Sequence, residues 1–414
     1  MFMLPSAQQL KLKSASTLDE SKVTQFSKKI CSRKPGTDSG TMRVETHRLF
    51  EQFQQALTRA PEASVVGSLT EPPRLESFLP LLDPTMSLDW SGLSFQGLPC
   101  LREKVLLRTG SHTSCGIDDV LITAGTAEAN FLALNQLVLP GDEIIVDTPG
   151  WPQPLVLAKA IGATLKTLPR HEERGWAFDL DELAQLITPK TRLIFICNPN
   201  NPTGHLLSGE KLVRVIELAD SVGAYLLCDQ VYQGLEWGND KTPCVAALYE
   251  RGISTGSVSK VLGLQGIRTG WLICRDTRVI SDAVVLREDS SEIMNVMGEA
   301  IANIALGDDY YHGAIANARE TGRRNLDLLD NFVNYSAHLH WQRPAAGLIG
   351  FARLELPLTA EDFSARLLAA PYRTFVMPGS AYDHPQHLRL GAGGATTALE
   401  QGLTRLQQFL NSLD

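Results

Sequence analysis

The chain has 414 residues, 43% hydrophobic and 20% charged, and its 38 basic and 46 acidic residues give a formal net charge of −8. This composition is typical of a globular protein and excludes collagen-like and largely disordered chains. The negative charge argues against nucleic acid and acidic membrane surfaces as partners. No apolar run reaches the roughly 20 residues that a membrane span needs. The length predicts two or three folding units with a ligand cleft between them.

The first part of the chain differs in composition from the rest. Residues 1–43 interleave serines with lysines, and we interpret them as a disordered tail, with an organelle transit peptide as the alternative. The seven cysteines are scattered, and no two have the two-residue gap of redox or metal pairs. They predict reduced thiols, a cytoplasmic protein and no metal site.

Hydrophobic periodicity predicts the secondary structure in chain order. Residues 44–59 have the pattern of an amphipathic helix, and the proline-containing residues 61–84 that of an extended arm. Short apolar runs then alternate with helical patterns and predict buried strands over residues 120–123, 143–146, 192–197, 224–228, 252–255 and 270–274. This alternation predicts an α/β domain with a largely parallel sheet covered on both faces.

The last hundred residues read differently. They predict a smaller domain, which contains a long charged helix over residues 310–332, strand-like runs near 350–354 and 388–390, and a closing helix over 395–413. We therefore divide the chain into a tail (1–43), a helix and arm that pack on the small domain (44–95), a large domain (96–306) and a small C-terminal domain (307–414).

Polar motifs follow the ends of the predicted strands, where an α/β sheet presents its ligand site. Asn-Pro-Asn-Asn-Pro-Thr-Gly occupies residues 198–204, and Asp229 and Tyr232 follow the next strand. Ser257-Val-Ser-Lys260 follows the strand after that, with Arg268 eight positions later. Taken singly, each of these residues also suits a helix cap, a core position or a surface charge.

Together these motifs resemble those of the class I and II aminotransferases, over residues 60–414. The resemblance rests on Ser-x-Ser-Lys followed by an arginine eight positions on, and on the Asn-Pro-x-Asn-Pro-Thr-Gly turn and the Asp-x-x-Tyr pair in that order. It implies a homodimeric fold type I enzyme that uses pyridoxal 5′-phosphate (PLP) to act on a small-molecule substrate, an amino acid. The fold implied is α/β, with a large domain built on a mostly parallel mixed sheet between helices and a smaller α+β C-terminal domain.

The resemblance also implies roles for single residues. Lys260 would form the Schiff base with PLP and move the substrate Cα proton. Asp229 would keep the pyridine nitrogen protonated, and Tyr232 and Asn201 would hydrogen-bond the phenolic oxygen of the ring. Trp151 would stack on that ring.

Two further groups of residues would bind anions. The phosphate would be held by Gly125, Thr126, Ala127, Ser257 and Arg268. Arg389 would bind the substrate α-carboxylate through two parallel hydrogen bonds, and the Asn201 amide would bind the same carboxylate.

The motifs indicate the cofactor more strongly than the reaction. Residues 224–229, 257–260 and 387–396 are most similar to capreomycidine synthases, which implies a cyclase that eliminates the hydroxyl of a hydroxyarginine and closes a cyclic guanidine amino acid of the capreomycidine or enduracididine type. An ordinary aminotransferase with a 2-oxo acid acceptor remains open. Residues 93–97 lack a tyrosine common in the aspartate group, and Gly150 replaces a bulkier residue, so we expect a wider pocket. Candidate carboxylates for the guanidinium are Glu71, Glu288, Asp289 and Glu292.

Other interpretations fit less of the sequence. Residues 257–260 also match the Ser-x-x-Lys of serine β-lactamases, but no Ser-Asp-Asn follows. Residues 391–394 lack the G-x-G-x-x-G spacing of a dinucleotide loop, and His338 and His340 have no ligand partners at metal spacing. A non-catalytic binding protein of the same fold remains an alternative, and it would purify without a chromophore.

Overall fold

The structure is a computed structural model that describes residues 44–89 and 94–413. The predicted tail and the beginning of the segment 93–97 lie outside the described residues. Within those ranges, none of the helices combines the length and the hydropathy of a membrane span.

The helices alternate with strands along most of the chain. They are α1 Arg48–Thr58, α2 Pro99–Thr109, α3 Thr126–Leu137, α4 Gln153–Ile161, α5 Leu180–Leu186, α6 Gly209–Asp220, α7 Val245–Leu248, α8 Thr277–Glu288, α9 Val296–Ala305, α10 Asp308–Tyr335, α11 Ala360–Leu368 and α12 Thr396–Leu410. The helices predicted over residues 44–59, 310–332 and 395–413 are observed as α1, α10 and α12.

The strands range in length from two to eight residues. They are β1 Ala63–Ser64, β2 Val66–Gly67, β3 Val120–Thr123, β4 Glu143–Thr148, β5 Thr164–His171, β6 Ala177–Phe178, β7 Thr191–Cys197, β8 Tyr225–Asp229, β9 Gly252–Ser257, β10 Gly270–Cys274, β11 Leu339–His340, β12 Ile349–Leu354, β13 Thr374–Phe375, β14 Met377–Pro378 and β15 His387–Ala392. Every predicted strand is among them.

The main sheet has eight strands in the order β3-β10-β9-β8-β7-β4-β5-β6. Strands β9, β8, β7, β4 and β5 pair in parallel, whereas β10 is antiparallel to both of its neighbours and β6 is antiparallel to β5. The prediction of an α/β fold with a mostly parallel mixed sheet is confirmed. Since β10 is antiparallel to β3 and to β9, the last residues of β3, β4, β7, β8 and β9 all lie at one edge.

Helices cover both faces of this sheet. Along β7, Phe195 packs into a core with α3, α4 and α8, while Ile194 and Ile196 pack into the opposite core with α5, α6 and α7. Strand β5 was not predicted, because the sequence Thr164–His171 mixes apolar residues with lysine, proline and arginine. Four of its eight side chains are exposed, which explains the weak apolar signal.

A second sheet contains β11, β12, β15 and β14 in that order, and β2 of the arm adds to it by pairing in parallel with β15. Helices α10, α11 and α12 share a core with this sheet. The predicted arm is therefore extended near residue 66, as expected, and turns into two short 3₁₀ helices at Leu75–Ser77 and Leu79–Leu81. The domain boundaries after residues 95 and 306 stay a prediction.

Candidate active site

Lys260 lies in the turn after β9, at the edge where the parallel strands end. Its Nζ donates a hydrogen bond to Ser68 Oγ at 3.2 Å. The arm is held against this turn because Thr70 N donates to the carbonyl oxygen of Lys260 at 3.0 Å. Burial and the charge of Arg389 lower the pKa of Lys260 to about 8, although Asp229 acts in the opposite direction. A fraction of this amine is therefore unprotonated and nucleophilic near neutral pH.

Asp229 is the last residue of β8 and is 4% exposed. Its Oδ2 accepts from Asn130 Nδ2 at 3.0 Å and its Oδ1 accepts from Val231 N at 3.2 Å. Asn130 is itself fixed, because Thr255 Oγ1 donates to its Oδ1 at 2.9 Å. Burial raises the pKa of Asp229 to about 6, while these hydrogen bonds act to lower it. The carboxylate is thus mostly ionised at neutral pH.

The segment between β3 and α3 forms a cradle for an anion. Gly125 has φ +84°, and a Cβ at this position would lie 2.4 Å from Arg268 Nη2. Arg268 Nη2 is held there by donating to the carbonyl oxygen of Ala124 at 2.9 Å. The buried Thr126 Oγ1 has no hydrogen-bond partner within the part of the chain that the structure describes. Ala127 lies in the first turn of α3, so its backbone is also at the positive end of the helix dipole.

Ser257, the last residue of β9, is buried beside Lys260. Its Oγ accepts a hydrogen bond from the backbone N of Ser259 at 3.2 Å. This bond leaves the hydroxyl proton of Ser257 available to a ligand oxygen. The Arg268 guanidinium, the hydroxyl groups of Thr126 and Ser257 and a helix N-terminus together suit a phosphate dianion.

Trp151 follows β4 and is half-buried. Its Nε1 donates to Gln153 Oε1 at 3.1 Å, and the same oxygen lies 3.4 Å from Asn130 Nδ2, so Trp151 joins the hydrogen-bond network of Asp229. The neighbouring position 150 has no room for a side chain, because a Cβ on Gly150 would lie 2.3 Å from the carbonyl oxygen of Asp147. The turn therefore requires glycine whatever the width of the pocket.

The turn at residues 198–204 is built by its own asparagines. Asn198 Oδ1 accepts from Leu207 N at 2.8 Å, and Asn200 Oδ1 accepts from Thr203 N at 3.1 Å. Asn200 Nδ2 donates to Asp147 Oδ2 at 3.2 Å. Asn201 differs from these two asparagines, because its amide contacts Tyr382 in the 3₁₀ turn Gly379–Tyr382.

Arg389 lies on β15 and is 2% exposed. Its Nη1 donates to Tyr382 Oη at 3.1 Å and its Nη2 to the carbonyl oxygen of Val66 at 3.3 Å. Tyr382 Oη also lies 3.1 Å from Asn201 Oδ1. Burial raises the pKa of Tyr232, with the Arg389 guanidinium as the nearby group that opposes it most. Two sheets thus contribute to one polar cluster.

The structure brings several of the predicted residues together around Lys260. Asp229, Arg268 and Arg389 are all close enough to Lys260 to influence its pKa. Three residues of the cluster were missed by the sequence analysis: Ser68, Asn130 and Tyr382. Asn130 had a weak signal, as a polar residue in an apolar helix, whereas Ser68 and Tyr382 had none. The four carboxylates considered for a guanidinium, Glu71, Glu288, Asp289 and Glu292, are all exposed.

This donor set fits PLP. A buried amine with a lowered pKa suits the aldehyde, and a buried carboxylate suits the ring nitrogen. The unpartnered Thr126 Oγ1 and the glycine cradle beside Arg268 suit the phosphate. Among the described residues, no three histidine, cysteine or acidic side chains are grouped as metal ligands would be.

Comparisons with known proteins agree with this chemistry. Residues 91–406 match the family described as aminotransferase class I and II. A capreomycidine synthase of Streptomyces vinaceus is 29% identical over 295 residues, covering 71% of this chain and 75% of that protein. An aspartate aminotransferase of Musicola paradisiaca is 25% identical over 309 residues, covering 73% of this chain and 76% of that protein.

Solved structures show the same fold. A PLP-dependent aminotransferase from Streptococcus suis has a TM-score of 0.83 at 28% identity and covers 90% of this chain and 99% of its own. The PLP-dependent cyclase OrfR has a TM-score of 0.80 at 24% identity and covers 92% of this chain and 100% of its own.

Proposed function

The chain belongs to the class I and II aminotransferase family of PLP-dependent fold type I enzymes, and on that premise we propose that it is a cyclase of hydroxylated arginine. The proposed reaction expels the side-chain hydroxyl as water and forms a bond from a guanidine nitrogen to the carbon that carried it. The proton that this nitrogen gives up balances the one that Cα takes back at the end of the reaction. The product is a cyclic guanidine amino acid of the capreomycidine or enduracididine type. The observation that carries this proposal is the similarity to a capreomycidine synthase over 71% of the chain.

The residues around Lys260 support chemistry at the α-carbon. PLP, when bound, supplies an aldehyde that condenses with amines and a ring that stabilises negative charge at the substrate Cα. Lys260 would hold that aldehyde and, once released by substrate, take the Cα proton, because its pKa of about 8 suits a base near neutral pH. Asp229, ionised at that pH, would keep a proton on the ring nitrogen. Tyr232 and Asn201 would bind the ring oxygen.

Binding and orientation are assigned to the remaining residues. Gly125, Thr126, Ala127, Ser257 and Arg268 would hold the phosphate, and Trp151 would lie against the ring. Arg389 and Asn201 would hold the substrate carboxylate, which keeps the Cα–H bond in reach of Lys260. Lys260, protonated by the first transfer, would then donate that proton to the departing hydroxyl so that water leaves.

The test is to incubate the holoenzyme with L-arginine, 3-hydroxyarginine, 4-hydroxyarginine and a panel of common amino acids, each without and with a 2-oxo acid. Product masses are recorded, with Lys260→Ala as the inactive control. We expect loss of one water from a hydroxyarginine with no acceptor present. Transfer of the amino group to the acceptor, with no dehydrated product from either hydroxyarginine, would refute the cyclase.

An ordinary aminotransferase is the second candidate. It is favoured by the similarity to an aspartate aminotransferase over 73% of the chain, and it would use the same Lys260, Asp229 and Arg389. The two candidates differ only after Cα deprotonation, because the aminotransferase passes the amino group to a 2-oxo acid whereas the cyclase loses a side-chain hydroxyl.

We also propose that the enzyme is a cytoplasmic homodimer in which the arm reaches the partner. The cysteines of the described residues are free thiols, which suits a reducing compartment. They are Cys100, Cys115, Cys197, Cys228, Cys244 and Cys274. Leu75, Leu79 and Leu81 in the arm are 56%, 58% and 55% exposed, and a partner subunit would cover them.

A further inference from the structure

We propose that the hydroxyl of Tyr382 orients both side chains that hold the substrate α-carboxylate, and thereby makes the site selective for amino acids over amines. Tyr382 is a positioning residue in this view. The inference rests on the proposed carboxylate-binding roles of Arg389 and Asn201, and it holds for a cyclase and for an aminotransferase alike.

The hydrogen-bond chemistry fixes the direction of each bond. Arg389 can only donate, so Tyr382 Oη must accept from Arg389 Nη1, at 3.1 Å. The single hydroxyl proton is then donated to Asn201, whose Oδ1 lies 3.1 Å away. Asn201 Oδ1 is thereby turned toward Tyr382, and its donor Nδ2 is turned away from the tyrosine. The tyrosine thus selects one of the two amide orientations of Asn201.

Arg389 is oriented by the same hydroxyl. Its guanidinium is held at Nη1 by Tyr382 and at Nη2 by the carbonyl oxygen of Val66. Its buried Nε has no partner within the described residues. A buried guanidinium N–H without an acceptor is costly, which points to a ligand that supplies one. A carboxylate that accepts from Arg389 and from Asn201 Nδ2 would complete this arrangement.

Tyr382 is itself held in place and kept protonated. It ends the turn Gly379–Tyr382 and is 6% exposed. Its ring meets Phe351 edge-on, with centroids 5.8 Å apart and an interplanar angle of 76°. Burial raises the pKa of Tyr382, with Arg389 acting in the opposite direction, so the phenol keeps its proton and can donate to Asn201.

Tyr382→Phe removes one hydroxyl and keeps the ring, so it tests the inference with little effect on packing. Dissociation constants of the holoenzyme are measured from the cofactor absorbance for two pairs of probes, L-arginine with agmatine and L-alanine with ethylamine. Each amine is its amino acid without the α-carboxylate. We expect both amino acids to bind about tenfold more weakly, as loss of a hydrogen bond to a charged group implies, and both amines to bind unchanged.

Two further variants sharpen the result. Tyr372→Phe removes a hydroxyl from a tyrosine that packs on Phe409 in the core of the second sheet, and it should leave all four constants unchanged. In an Asn201→Ala background, Tyr382→Phe should cost clearly less than tenfold, because one of the two groups it orients is gone.

An equal loss of affinity for amino acids and amines would refute the inference, as would no change for either. If the wild type cyclises a hydroxyarginine and Tyr382→Phe keeps full selectivity, the inference fails while the proposed function stands. If the wild type only transaminates and Tyr382→Phe loses its selectivity, the proposed function fails while the inference stands.

Discussion

Lys260 and Asp229 carry opposite charges at the ends of neighbouring parallel strands, and burial shifts their pKa values toward each other. The pKa of Lys260 falls to about 8 and that of Asp229 rises to about 6. Between these values the carboxylate is ionised and the amine is partly neutral. Both states are the ones the proposed chemistry needs, so the burial of the pair favours activity near neutral pH.

The lowered pKa of Lys260 predicts how the cofactor-free protein takes up PLP. Only the neutral amine attacks an aldehyde, so the rate of covalent PLP attachment should rise about tenfold per pH unit below pH 8 and level off above it. Stopped-flow absorbance at a series of pH values above 6.5 measures this rate. Lys260→Ala, which can bind PLP only without a covalent bond, is the control. A rate that kept rising toward pH 10.5, the ordinary pKa of lysine, would contradict a buried amine.

Strands β3, β7, β8 and β9 place their polar residues at one edge, and this part of the site could be predicted from the sequence. Each motif directly follows an apolar run, so strand and functional residue are local to one another. Contacts between distant residues could not be predicted. Tyr382 and Asn201 are 181 positions apart, and Lys260 and Ser68 are 192 apart. Hydrophobic periodicity predicts local structure and does not indicate which distant residues come into contact.

The β3–α3 turn offers a test at the level of one element. Gly125→Ala should weaken PLP binding, because φ +84° disfavours alanine and its Cβ would lie 2.4 Å from Arg268 Nη2, pushing the guanidinium away from the phosphate. The dissociation constant of PLP, measured by equilibrium dialysis, should rise about tenfold or more, which corresponds to losing one charge-assisted hydrogen bond.

Gly110→Ala is the matched control for this variant. Gly110 has a similar φ of +71° at the end of α2, but nothing lies within 4 Å of the position its Cβ would take. Gly110→Ala should lose about 1 kcal/mol of stability from backbone strain, and Gly125→Ala should lose more, because its ψ of 171° lies in a region that glycine alone adopts readily. Only Gly125→Ala should lose PLP. Equal PLP affinities in the two variants would remove Gly125 from the phosphate site.

Over the whole molecule, the arm joins the two sheets at the candidate site. β2 pairs with β15, which carries Arg389, and three residues later Thr70 bonds to the backbone of Lys260. Gly67 permits this approach, because a Cβ there would lie 2.4 Å from the carbonyl oxygen of Gly393. The extended character of the arm could be predicted from its prolines, but its pairing with β15 could not, since two-residue strands have no pattern of their own.

The same arm makes the oligomeric state testable. If its exposed leucines lie against a partner subunit, Leu79→Asp places a charge in an apolar interface, and the cost of burying that charge should shift the protein from dimer to monomer. Light scattering coupled to size exclusion measures the mass directly. Leu139→Asp is the control, because Leu139 is 64% exposed in the turn before β4. A dimer that persisted in Leu79→Asp, with wild-type mass at low concentration, would remove the arm from the proposed interface.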